Sequence, residues 1–134
     1  KANDFADWSQ DYTGTYGFNL AFANNGARPA WKANTNFGWS RGLASASLNW
    51  YYVGKMRDLT VGPAWAPVNN MKPYHRFDLA GGYQLNEHLR LSGGVTNLLD
   101  KRPIATSGGI PGNTDSGTYD TLGRRYFAGF NLRF

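Results

Sequence analysis

Apolar and polar residues alternate with a period of two from one end of the chain to the other, and helical spacing is hard to find. Bounded by turn residues, these runs predict about six β-strands. The first, near Asp11 to Ala23, puts Tyr12, Tyr16, Phe18, Leu20 and Phe22 on one face and Thr13, Thr15, Asn19 and Ala21 on the other. The next two runs predict a hairpin with Arg41-Gly42 as a two-residue loop, since glycine tolerates positive φ there. Counting outward pairs Trp39 with Ala44, Phe37 with Ala46, Thr35 with Leu48, Ala33 with Trp50 and Trp31 with Tyr52 on an apolar face. The opposite face pairs Gly38 with Ser45, Asn36 with Ser47, Asn34 with Asn49 and Lys32 with Tyr51. A one-residue slip would destroy both faces.

A loop of roughly twenty residues, Gly54 to Tyr74, is longer than a compact domain keeps without a use for it. A second hairpin follows across Asn86-Glu87-His88, with Leu85 facing Leu89, Tyr83 facing Leu91, Gly81 facing Gly93 and Leu79 facing Val95. Its polar side carries Arg76, Asp78, Gln84, Arg90, Ser92 and Thr96. After another long loop, Leu98 to Thr118, the last run sets Tyr126, Ala128, Phe130, Leu132 and Phe134 on one face. Arg125, Asn131 and Arg133 point the other way, with Phe127 an exception. Connections therefore alternate short and long. Aromatics collect at strand ends, Trp39 and Tyr83 near the short turns, Trp31, Tyr52 and Phe77 toward the other edge. Short turns on one rim, long loops on the other and aromatic girdles at both describe an outer-membrane β-barrel.

Composition agrees with strands that have one aromatic face joined by polar loops. The 134 residues are 16% aromatic and include 17 glycines, no cysteine and a formal charge of +5. No run approaches the ~18 apolar residues of a spanning helix. The absence of cysteine rules out a disulfide scaffold and thiolate metal sites. The basic residues are scattered, whereas nucleic-acid binding needs a patch or stripe, so no nucleic-acid partner is expected.

Three stretches of the C-terminal part carry more. "FDLAGGY" from Phe77, "LSGGVTNLLDKRP" from Leu91, and Tyr119 followed by "GRRY" from Gly123, with a terminal Phe134, resemble the end of a TonB-dependent outer-membrane receptor. In that family an Asn-Leu-x-Asp-Lys segment, here Asn97, Leu98 and Asp100, closes the penultimate strand. A Gly-Arg segment, here Gly123 and Arg124, opens the last. Side chains of Asn97 and Asp100 can satisfy backbone groups in a turn, and Pro103 cannot continue a ladder. The resemblance covers Tyr74 to Phe134; the earlier strands agree in style.

The resemblance implies an all-β, antiparallel up-and-down transmembrane barrel of about 22 strands, of which residues 1–134 supply about the last six, without the plug or the earlier strands. It implies a receptor in the outer membrane of a Gram-negative bacterium. That receptor imports a scarce nutrient, such as an iron–siderophore or other small ligand, with energy from the TonB coupling protein. Further partners are the membrane lipid, the rest of the barrel and plug, and the barrel assembly machinery, which would read Phe134.

No catalytic set is visible, and no enzyme, metal or cofactor is expected. His75 and His88 fall some 30 Å apart along an extended strand, and Glu87 is the only glutamate. Asp58, Asp115 and Asp120 read as solvated loop acids. Gly108-Gly109 with Gly112 reads as a flexible loop, since no strand feeds it into a helix. The basic residues Lys32, Arg76, Arg90, Arg125 and Arg133 are expected to line a polar lumen. Trp65, Met71, Tyr74 and Tyr119, in or beside the long loops, are the ligand-binding candidates. A soluble aromatic-rich β-sandwich, such as a carbohydrate-binding module, is the alternative; it would turn two apolar faces inward onto one dry core.

Overall fold

The computed structural model describes residues 13–17, 26–59, 70–106 and 111–134. Nine strands appear there: β1 (Thr15–Tyr16), β2 (Ala27–Arg28), β3 (Lys32–Arg41), β4 (Ala44–Val53), β5 (Met56–Asp58), β6 (Asn70–Met71), β7 (Tyr74–Gln84), β8 (Leu89–Thr96) and β9 (Arg125–Leu132). The long strands build one antiparallel sheet in the order β3-β4-β7-β8-β9, each beside its neighbour in the chain. The short ones form a second sheet, β2-β1-β5-β6. Strands β3 and β4 have 10 residues and β7 has 11, the length a tilted strand needs to cross a bilayer.

Rows of paired residues run across the large sheet. One outward row reads Phe37, Leu48, Leu79, Val95 and Tyr126; the next toward the short turns reads Trp39, Ala46, Gly81, Gly93 and Ala128. On the opposite face the pairs are polar, for example Asn36, Asn49 and Asp78 across β3, β4 and β7, and Thr96 with Arg125 across β8 and β9. The apolar face is open: Phe37 is 57% and Phe130 75% exposed. A continuous apolar face of this extent marks a surface made for a partner or a membrane.

Phe127 is explained by what lies opposite. It pairs with Gly94 on the polar face, and its ring covers that glycine so closely that a Cβ there would meet Cζ at 2.6 Å as well as the carbonyl oxygen of Leu79. The aromatic occupies space that only glycine leaves.

The second hairpin has the register expected from the sequence, with Tyr83 on Leu91, Gly81 on Gly93 and Leu79 on Val95. The first is displaced by two residues. Arg41 pairs with Ala44, so that Trp39 meets Ala46 and Phe37 meets Leu48. The loop is Gly42-Leu43, and of the two only Gly42 has positive φ, at 56°. A hairpin turn with glycine in its first central position is the type II′ turn, which suits the twist of the strands. Because the shift is even, every side chain stays on its expected face.

The first run differs more. Its described part is only Thr15–Tyr16, which pairs with β2 and, in parallel, with β5. It does not extend the large sheet, and Tyr12, Phe18, Leu20 and Phe22 lie outside the described residues. The segment after Val53 is not simply a loop either, since it carries β5 and β6, joined as Met56↔Met71 and Arg57↔Asn70.

The core sits at the long-loop end. Tyr16, Val53, Met56, Met71, Tyr74 and Tyr119 are buried together, with Ala27, Tyr51 and Ile104 packed on them. Val53 and Tyr74 pair with each other and share the face of Lys32 and Arg76. The small sheet and Tyr119 thus cap the polar face of the large sheet, not its apolar face. A sandwich would bury the opposite side.

Candidate functional site

Below this cap the polar face carries a cationic and aromatic group. Asn34, Tyr51 and Arg76 form one row, and Lys32, Val53 and Tyr74 the next toward the long loops. The Tyr51 ring lies between two cations, with Lys32 Nζ 5.5 Å and the Arg76 guanidinium 5.3 Å from its centroid. Such contacts hold a long basic side chain against an aromatic face. Tyr51 also donates its hydroxyl to the carbonyl of Thr118 at 3.3 Å. That bond pins the loop before β9 over the sheet.

Asp120 is the second pin. Arg125 grips it with Nη1 at 3.0 Å and Nη2 at 3.4 Å, and the N–H of Leu122 donates to it at 3.0 Å. Burial by itself would raise this carboxyl. The Leu122 N–H, the Arg125 guanidinium and the charge of Arg76 outweigh burial and hold it below its ordinary value. The acid read as solvated has a side chain only 5% exposed. Asp58 is likewise buried, and Asp115 turns back on its own loop, accepting from the N–H of Gly117 and the hydroxyl of Thr118. Tyr119, packed edge-on to Tyr74 at 5.0 Å, has its phenol pushed far up by burial, with the charge of Asp115 adding to the effect. It stays neutral.

Between this loop and the sheet is an open cleft of about 390 Å³, lined by Tyr51, Arg76, Arg125 and residues 116–122. Arg76 bonds Asp78 at 3.1 Å, so two of the basic residues here are partly neutralised. Lys32 has no carboxylate partner among the described residues. The arrangement offers donors and π-faces to an anionic or aromatic group.

The five basic residues therefore fall into two sets. Lys32, Arg76 and Arg125 gather near the long loops. Arg90 and Arg133 lie toward the short turns, where Arg90 donates to Ser45 Oγ at 2.7 Å and the Arg133 N–H to the carbonyl of His88 at 2.9 Å. Met71, Tyr74 and Tyr119 are core residues, at most 3% exposed, so each offers little side-chain surface to solvent. Trp65 lies outside the described residues, as do Gly108 and Gly109. His75 accepts from Trp50 Nε1 at 3.2 Å on the outward face. The residue that sequence reasoning passed over is Tyr51; its place between Lys32 and Arg76 follows only from correct cross-strand register.

The motif residues form an anchor at the same rim. Asn97 is fully buried and has φ 54°. Its side chain accepts from the Lys101 N–H at 2.7 Å and donates to the Lys101 carbonyl at 3.0 Å, while its own N–H donates to Asp78 at 2.8 Å. The Leu98 N–H reaches the Phe77 carbonyl at 2.7 Å. Asp100 accepts from the Arg124 N–H at 3.0 Å, and Gly123, at φ 74°, leaves room for that carboxylate. Phe134 stands fully exposed at the chain end.

A sheet of this span, apolar and open on one face and polar with basic residues on the other, defines barrel wall from an outer-membrane protein. Residues 2–98 match the family model described as "TonB dependent receptor-like, beta-barrel". The chain belongs to this family, whose members reside in the outer membrane of Gram-negative bacteria. The match includes the stretch from Phe77 and the one from Leu91 as far as Leu98, and it ends before Asp100, Gly123 and Arg124.

Two solved structures are similar, both mutants of the ferric enterobactin receptor PfeA from Pseudomonas aeruginosa. One, in complex with enterobactin, is 24% identical over 74% of this chain, with a TM-score of 0.54. The other is 26% identical over 75%, also with a TM-score of 0.54. The chain spans 16% of the length of either receptor. No curated protein matches.

Proposed function

We propose that residues 1–134 are the C-terminal part of a TonB-dependent receptor, forming barrel wall and outer loops around a plug supplied by the rest of the protein. The receptor takes up a scarce nutrient across the outer membrane with energy delivered through TonB. The observation that carries this reading is the two-faced open sheet: its apolar side exposes large side chains from Phe37 on β3 through Leu79 on β7 to Phe130 on β9, and its polar side holds the capped basic cluster. The cluster of Lys32, Arg76 and Arg125 beside Tyr51 suits an anionic ferric chelate, and the likeness to PfeA favours a siderophore. Lumen-facing basic residues serve as the wall past which the chelate moves. The long loops, Trp65 among their residues, supply the first contacts.

The test is uptake of radiolabelled ferric enterobactin by cells whose sole siderophore receptor is the intact protein carrying this chain. Uptake above that of receptor-free cells, abolished when TonB is deleted, is expected. Equal uptake with and without TonB overturns the transport reading, and no uptake overturns the assignment of a siderophore of this type.

A further inference from the structure

The two guanidinium groups that line the cleft beside Tyr51, those of Arg76 and Arg125, are each engaged by a carboxylate of the chain itself. The two pairs differ in what carries them. Arg76 and Asp78 both lie on β7, and Asp78 is fixed further by the N–H of Asn97. That pair belongs to the sheet. Asp120 comes instead from the loop that folds over the sheet, and it is held by the Arg125 guanidinium and the N–H of Leu122. Arg76 keeps donor capacity that Asp78 does not use, since its Nε is buried with no hydrogen-bond partner. Lys32, against the same Tyr51 ring, adds a third positive charge.

Resting on the reading of this cleft as the place of an anionic ligand, we propose that Asp120 is an internal counter-ion that the ligand displaces. The ligand's anionic group takes over Arg125 and bridges it to Arg76. A singly charged group replaces the carboxylate like for like and gains nothing. A multiply charged one engages both guanidinium groups at once, and charge-assisted bonds to two partners outweigh those that Asp120 makes to one. The cost of displacement is the same for every anion, so it keeps weak ones out and leaves the cleft to those that gain more than it. This role and that of a simple loop pin have opposite signs. A pin, once its charge is removed, loosens the cleft and weakens binding. A competitor, once its charge is removed, strengthens it.

The experiment is calorimetric titration of the intact receptor carrying this chain, in neutral detergent, with two probes, inorganic tripolyphosphate and ferric enterobactin. Asp120→Asn should tighten binding about ten-fold, the size of an ordinary coupling between two contacts. Asp120→Glu, which keeps the charge, should show no such gain. The gain should also disappear when Asp120→Asn is combined with Arg125→Gln. Unchanged or weaker binding by Asp120→Asn, or a gain that survives without Arg125, overturns the proposal. Hydrogen exchange on the unaltered receptor gives a readout that does not depend on how the variants fold. Saturating probe should speed exchange of the Leu122 amide, whose acceptor is Asp120, and unaltered exchange overturns the proposal as well. The two readings fail separately. Tripolyphosphate following this pattern while ferric enterobactin binds no variant refutes the siderophore assignment and upholds the counter-ion. TonB-dependent uptake of ferric enterobactin with no response to Asp120 refutes only the counter-ion, and binding of neither probe by any variant overturns it too.

Discussion

Asp100 accepts a hydrogen bond from the backbone N–H of Arg124 at 3.0 Å, joining the two ends of the long connection between β8 and β9. The carboxylate holds the point where the last strand begins against the point where the preceding one has ended. Asn97 does the corresponding work three residues earlier, closing a ring with both backbone groups of Lys101.

Asn97→Ala removes both of these bonds, leaves the Lys101 N–H and carbonyl without their side-chain partner and keeps a left-handed backbone that alanine tolerates poorly. The expected cost is roughly 2–4 kcal/mol. Urea unfolding of the reconstituted receptor measures it. A loss below that of a typical surface substitution would show that the loop does not depend on this ring.

Phe37 and Asn36 are adjacent on β3 and face opposite sides of the sheet. Arginine at Phe37 should cost about 2–4 kcal/mol where the residue lies near the bilayer midplane, because a charge enters hydrocarbon. Arginine at Asn36, among polar neighbours, should be tolerated. Refolding yield into vesicles compares the two variants, and equal sensitivity would reverse or abolish the assignment of faces.

Asp120 couples the loop to proton concentration. Its carboxyl titrates below the ordinary value of 3.8 in the folded protein, so on acidification the unfolded chain takes up this proton first. The stabilisation is complete above the ordinary carboxylate range and is lost as pH falls through the lowered value. Asp120→Asn should reduce stability near neutral pH by about 1.5–3 kcal/mol, the usual worth of a charged hydrogen bond, and that deficit should shrink in strong acid. Unfolding measured across pH for both proteins checks the sign.

Phe134 is exposed at the end of the outward row Tyr126, Phe130 and Leu132. On the resemblance to a terminal assembly signal, its deletion should lower the amount of folded receptor in the outer membrane while ligand affinity of the assembled molecules stays near normal. Quantifying heat-modifiable receptor and siderophore binding on the same cells reads both effects. Undiminished abundance with collapsed binding would place Phe134 in a ligand site instead.

Side-chain period two is the property most directly written in the sequence. It assigned Phe37, Leu79, Val95 and Phe130 to one face and Asn36, Asp78 and Arg125 to the other, and it found the Tyr83–Leu91 register outright. The same property is blind to an even shift. Moving β3 by two residues leaves both faces intact, so the pattern of large and small residues could not choose between Arg41-Gly42 and Gly42-Leu43. The choice depended on a backbone dihedral at Gly42. Phe127 looked like an error of alternation until Gly94 stood opposite, because the vacancy it fills belongs to a different strand.

The cap was the least legible part. Met71 and Tyr119 are distant in sequence, and an exposed aromatic and a buried one are the same letter; only the packing of the small sheet over Val53 and Tyr74 turns these residues into core. Charge behaved in the same way. The sequence shows that Asp120 and Arg125 are five residues apart, but the hydrogen bonds and cationic charge that lower the titration of that carboxylate against the effect of burial depend on the loop folding back across Tyr51. Period and turn chemistry are local and act through neighbouring residues, so the sequence alone determined the five long strands, their faces and the class, and not the small sheet of β1, β2, β5 and β6. Burial and electrostatic pairing depend on which distant segments exclude water from one another, and those the tertiary structure decided.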